Sequence, residues 1–220
     1  MLDELEALED QQQRSIRFEK RESVDKEVRR LINQQKLDTA LSVLESFHKQ
    51  NGYHAHRETY NMLLIASVKA MNKEVVEKLV GYFRTLSIPY DEVSYLGLLT
   101  WYGKTKQLKE VENVWKKVTE KSPQHLSGQI IGAMVAVIRK NKLGRAKLNE
   151  VVKTAKHYDI KLPTSAYREL FIAYRQFNDA NATLELYSRY TAALKRGEVK
   201  EDPYIWQEII NVLVLNRPRT

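Results

Sequence analysis

The chain has 220 residues, with 36 Lys and Arg against 28 Asp and Glu, a formal net charge of +8, and no cysteine. The lack of cysteine excludes a disulfide framework, a thiolate nucleophile and Cys-ligated zinc or iron–sulfur chemistry. A hydrophobic content of 43 % is enough to bury a core, while 8 Gly and 5 Pro are too few for many short strands joined by tight turns, so helix is favoured.

No run of about 18 apolar residues marks a membrane-spanning helix. The opening Met1-Leu2-Asp3-Glu4-Leu5-Glu6 is acidic, unlike the basic and then apolar start of a secretory signal or an Arg-rich mitochondrial presequence. The chain as written is expected to lack a visible address, or to be the trimmed form of a longer precursor.

Residues 1–23 are expected to form a helical extension, with Leu2, Leu5 and Leu8 at helical spacing before the polar run Gln11-Gln12-Gln13-Arg14. Residues 1–22 hold seven acids and four bases, so the excess of positive charge lies further along. Such a basic body attracts polyanions, nucleic acid above all, or is a solvated lysine-rich helical surface.

From residue 24 to 220 an internal period emerges. Val28, Leu31 and Ile32 form a first, degenerate copy of a motif with a large apolar anchor and apolar residues three and four positions on. Tyr60, Leu63 and Leu64 repeat it. Tyr95, Leu98 and Leu99 follow 35 residues later, and Ile130, Ala133 and Met134 after another 35. Tyr167, Leu170 and Phe171, then Trp206, Ile209 and Ile210, come at slightly longer spacing.

This spacing lays the side chains on one stripe of a helix. Between the anchors, helical spacing predicts second helices over 37–47, 75–86, 108–118, 143–157 and 180–194. Pro89, Pro123, Pro163 and Pro203 each fall three to seven residues before an anchor, where proline ends one helix or opens the next. The remaining proline, Pro218, lies at the tail. Hairpins with one apolar face need stacked neighbours to bury it. The expected fold is therefore all-α, an α-solenoid of about five to six helical-hairpin repeats.

The stretch from Thr59-Tyr60-Asn61-Met62-Leu63-Leu64 to Ile88-Pro89-Tyr90-Asp91 resembles the pentatricopeptide repeat consensus, which begins Thr-Tyr-Asn-x-Leu-Ile and ends Ile-x-Pro-Asp. The tetratricopeptide repeat has a similar period but a different pattern of small and aromatic residues. The resemblance implies a right-handed superhelix over 24–220 whose first helices line a groove for single-stranded RNA, one base per repeat. It implies a role in processing, stability or translation of organellar transcripts, in the mitochondrial matrix. It also implies that Asn61 and Asp91, the residue after the anchor and the last of the repeat, read a base together, as in the family's uracil-preferring pair. The corresponding residues after later anchors are Leu96, Ile131, Arg168 and Gln207, and an aliphatic side chain cannot hydrogen-bond a base.

Nine residues after three successive anchors stand Lys69, Lys104 and Arg139, before the series ends at Gln176 and Leu215. Stacked repeats would set these cations in a row for an RNA backbone. A rival reading is a protein-binding scaffold, or a subunit of a ribonucleoprotein or ribosomal assembly, which needs no base-reading residues. No membrane partner is expected.

Catalysis is not expected. The repeats take up nearly the whole chain, and neither a Gly-rich phosphate loop nor a Gly-x-Ser-x-Gly elbow occurs. His54 and His56 stand two apart beside Glu58 without a third ligand at a suitable spacing, so no metal and no cofactor are expected. The aromatics Trp101, Tyr102, Trp115, Tyr174, Tyr187, Tyr190 and Trp206 are read first as core and second as stacking surfaces for bases. Gly97 and Gly132 hold equivalent places and suggest close helix crossings.

Overall fold

The computed structural model describes the backbone of residues 2–215 and the side chains of residues 11–212. Its described residues form eleven α-helices and no strand, and the chain divides into two compact units, Met1–Tyr90 and Asp91–Thr220.

The first unit holds α1 (Leu2–Asn33), α2 (Leu37–Asn51), α3 (Arg57–Ala70) and α4 (Lys73–Thr85). α1 is one unbroken helix, but its surroundings change along its length. Ile16 and Phe18 are exposed, whereas Val24, Val28 and Leu31 are buried where α1 packs on α2 and α3. The side chains of Leu2, Leu5 and Leu8 lie outside the described residues. A polar clasp adds to this packing: Asp25 accepts a hydrogen bond from the Thr59 hydroxyl and lies against Nδ1 of His56, while Arg21 Nε donates to the His54 carbonyl at 3.0 Å. Tyr60, Leu63 and Leu64 of α3 and Val75, Val76 and Leu79 of α4 complete the core.

The second unit holds α5 (Glu92–Lys104), α6 (Leu108–Lys116), α7 (Gly128–Asn141), α8 (Arg145–His157), α9 (Thr164–Gln176), α10 (Ala180–Lys195) and α11 (Pro203–Leu215). α6 runs into a π-helical turn over Lys117–Lys121, followed by a 3₁₀ turn over Pro123–His125. α5 packs on α7, α7 on α9, and α9 on α11, while α6, α8 and α10 fold back on the helices they follow. α7 has α5 on one flank and α9 on the other, which explains why it is apolar over so much of its circumference. The backbones of α7 and α9 come close at Gly132, where a Cβ would stand 3.1 Å from Ala166 Cα.

Several helix starts have a local cause. Asn72, Ser127 and Asp179 cap α4, α7 and α10 by accepting from backbone N–H groups three residues on, at 3.2–3.3 Å. Pro163 sits at the N-cap of α9 and Pro203 opens α11, so neither proline removes a helical hydrogen bond. The hairpin turns repeat as faithfully as the helices. Gln35, Met71, Lys106, Lys142 and Asn178, each just after a first helix, are all left-handed with φ between 52° and 59°. Side chains also reach one repeat ahead or back: Asn72 Nδ2 donates to Asp38 at 3.2 Å, Tyr82 Oη to Glu45 at 2.7 Å, and Lys147 Nζ to Glu112 at 2.8 Å. The architecture is repeat-like and all-helical, and the anchors Tyr60, Tyr95, Ile130, Tyr167 and Trp206 sit on the corresponding helices α3, α5, α7, α9 and α11.

Candidate functional site

The residues that the sequence proposes for RNA contact have distinct surroundings. Asn61 follows the buried Tyr60 on α3 and is itself only 4 % exposed. Asp91 belongs to the second unit, where it is the N-cap of α5. Its Oδ1 accepts from the Ser94 backbone N–H and from the Ser94 hydroxyl, each at 2.9 Å, and its own N–H donates to Ser94 Oγ at 3.3 Å. This reciprocal capping box gives the Asp91 carboxylate a structural task.

The column after the anchors has mixed surroundings in the second unit. Ile131 is fully buried. Arg168 forms an ion pair with Asp202 and lies over the Tyr204 ring at 5.1 Å, and Gln207 donates to Asn211 at 3.0 Å.

Lys69, in the last turn of α3, is exposed. Lys104 and Arg139 occupy the last turns of the neighbouring helices α5 and α7, and Lys104 is exposed. Arg139 is different, for its guanidinium is joined to Glu169 of α9. Lys69 and Lys104 are thus exposed, and Arg139 is paired with Glu169. Leu215 has no described side chain.

His54 and His56 belong to the clasp on α1. His54 Nδ1 lies 2.7 Å from the Ala55 carbonyl, His56 faces Asp25, and the described residues contain no cluster of three or more His, Asp or Glu able to hold a metal. Trp101, Tyr102, Trp115, Tyr174 and Tyr190 are buried, while Tyr187 and Trp206 are half-buried. Burial raises the Tyr174 hydroxyl to about 12, so it stays a neutral donor at any physiological pH. No described helix is long and apolar enough to cross a membrane.

The charge is divided unequally between the units. Residues 91–220 carry 22 Lys and Arg against 14 Asp and Glu, a difference of +8, and residues 1–90 carry 14 of each. The whole net charge therefore resides in the second unit. Sequence reasoning also missed a second column there, Lys117, Lys153 and Arg189 at a spacing of 36, on or next to the second helices. That regularity was present in the sequence but was hidden among many other lysines.

The chain matches no protein-family model, and no curated protein matches it.

Proposed function

We propose that the protein is a non-catalytic, single-stranded RNA-binding member of the pentatricopeptide-like right-handed α-solenoids, acting in processing, stability or translation of organellar, most simply mitochondrial, transcripts. In this reading α3, α5, α7, α9 and α11 are the first helices of successive repeats and residues 24–220 form one array. The observation that carries it is the confinement of the full +8 charge to the second unit. A helical array with that excess draws in a flexible polyanion through counterion release and needs no base code.

Binding is expected to be backbone-dominated and weakly selective, because Asn61 is buried and Asp91 caps a helix. In a filter-binding titration, replacing Lys69, Lys104 and Arg139 with Glu weakens binding of single-stranded RNA strongly, and affinity falls as salt rises. Unchanged affinity removes the row from the mechanism. Absence of salt-sensitive binding by the wild type removes the RNA function.

A protein-binding scaffold within a ribonucleoprotein or ribosomal assembly is the second reading. It is favoured by one specific observation: Asn61, Asp91 and Arg139, three of the five residues named for RNA, are engaged in packing, capping or ion pairing. Pull-down with and without ribonuclease separates the two, since partners held by a scaffold persist when RNA is destroyed.

A further inference from the structure

Between α8 and α10 runs an open groove of about 280 Å³, lined by Arg145, Lys153, Lys156, Tyr174, Asp179 and Arg189. A second groove of about 620 Å³ lies between the start of α7, the 158–163 loop and α10, and includes Lys161, Tyr167, Arg196 and Glu198. Arg189 lines both grooves.

The charges within these grooves are not equally available. Asp179 is 7 % exposed, and one of its oxygens caps α10 while the other is paired with Arg145. Glu185 is held by Lys156 at 2.5 Å, a hydrogen bond that lowers its pKa and keeps it ionised. In the second groove, Glu198 is shared by Arg196 at 2.8 Å and Lys161 at 3.4 Å. Lys153 and Arg189 are left without any hydrogen bond or ion pair among the described residues, although both stand in the α8–α10 groove. They are also 36 residues apart, equivalent positions on successive second helices, and Lys117 precedes them by another 36.

An arginine in a groove bears a desolvation cost that an anion would offset, and its planar fork matches two oxygens of a phosphate. We propose that the α8–α10 groove and its continuation past Arg189 form a phosphate-binding track for single-stranded RNA, with Arg189 and Lys153 as its contacts. This rests on the RNA-binding reading above and adds contacts on the second helices to those of Lys69, Lys104 and Arg139 on the first. The ligand chemistry is the phosphodiester backbone, without base readout.

The test is fluorescence anisotropy with a labelled oligouridylate, titrated between about 50 and 200 mM salt, on the full chain. Each lost phosphate contact reduces the slope of log affinity against log salt by about 0.7 for a single strand. Arg189→Ala should therefore lower the slope by about 0.7, and Arg189→Ala with Lys153→Ala by about 1.4, each step costing about tenfold in affinity. Arg189→Lys should restore the slope. Neither residue has a hydrogen bond or ion pair to lose, so circular dichroism and thermal melting should stay close to the wild type. Lys49→Ala, a cation of the first unit, should leave the slope unchanged.

Wild-type binding with the same slope in the double variant overturns the track and leaves the RNA reading standing. Equal losses in Lys49→Ala overturn it as well, by showing diffuse attraction. A polyglutamate peptide that binds as tightly as the RNA, with the same dependence on Arg189, overturns it too and assigns the groove to an acidic protein segment. Failure of the wild type to bind RNA at all overturns both proposals.

Discussion

Arg139 of α7 and Glu169 of α9 are joined by two contacts of 3.0 Å, from Nε and a terminal guanidinium nitrogen to the same carboxylate oxygen, with only 18 % and 26 % of the two side chains exposed. The pair ties one first helix to the next, and it also withdraws a cation from the row to which the sequence assigns it. Its two halves therefore respond differently to substitution. Arg139→Ala costs about 1–2 kcal/mol of stability, since a half-buried carboxylate loses its partner. On the proposed RNA-binding function, Glu169→Gln frees the guanidinium, so affinity for single-stranded RNA should rise while thermal stability falls slightly. Unchanged affinity in Glu169→Gln would show that Arg139 contributes to the fold alone.

The Asp25 clasp makes a separate prediction for the first unit. The carboxylate takes hydrogen bonds from Thr59 and faces His56, linking α1 to the start of α3. Asp25→Ala leaves the Thr59 hydroxyl and the His56 ring without that acceptor and costs about 1–3 kcal/mol. The effect should be local at first. Amide exchange along residues 16–33 should accelerate in Asp25→Ala, while exchange in α4, which the clasp does not touch, should change little.

The helices and their order were legible because each one carries its own punctuation. The predicted second helix over 180–194 is observed as Ala180–Lys195, and that over 108–118 ends in a π-helical turn at the place where Pro123 forces an exit. The anchor stripe identified the buried face, with Tyr95, Leu98 and Leu99 all inside. It failed at Ile210, which is 53 % exposed although Ile209 is buried, because a periodic stripe cannot say which of its residues finds a covering neighbour. Contact residues were less legible for the same reason. Asn61 fits a binding motif by identity, but its burial depends on helices distant in sequence. Asp91 serves as both a repeat's last residue and the next helix's cap, and spacing alone cannot separate those tasks.

Two glycines of opposite character test the packing of the repeats. Gly81 lies inside α4, and beyond the helix's own backbone no heavy atom stands within 4 Å of where its Cβ would be. Gly81→Ala therefore gains helix propensity without a clash and should stabilise the protein by about 0.5–1 kcal/mol. Gly128 opens α7, where a Cβ would fall 2.3 Å from the Lys161 carbonyl oxygen and 2.4 Å from Pro163 Cδ. Backbone must move to admit it, and Gly128→Ala should cost about 1–3 kcal/mol. Chemical denaturation of both variants provides the comparison, and equal midpoints would contradict the close approach of the 158–163 loop to α7.

The response to alkali follows from groups whose protonated form the fold protects. Burial raises the hydroxyls of Tyr60 and Tyr174 to about 12, and desolvation with the hydrogen bond to Glu45 does the same for Tyr82, against 10 for a free tyrosine. Burial opposes the charge on Lys147, but hydrogen bonds to Glu112 and Glu150 outweigh it, so this pKa is raised too. For all four groups the folded state holds its proton more tightly than the unfolded chain does. Their contribution is complete below the unfolded pKa and disappears as pH rises through the folded one. Stability should therefore hold to about pH 10 and fall steadily towards about pH 12. Phenolate absorbance, followed together with far-ultraviolet circular dichroism, should show most of the 12 tyrosines ionising first and a late fraction ionising as helix is lost. Tyr60→Phe removes one protected hydroxyl and should flatten the alkaline limb, whereas an unaltered limb in the Tyr60→Phe and Tyr174→Phe variants would mean that these hydroxyls do not govern the transition.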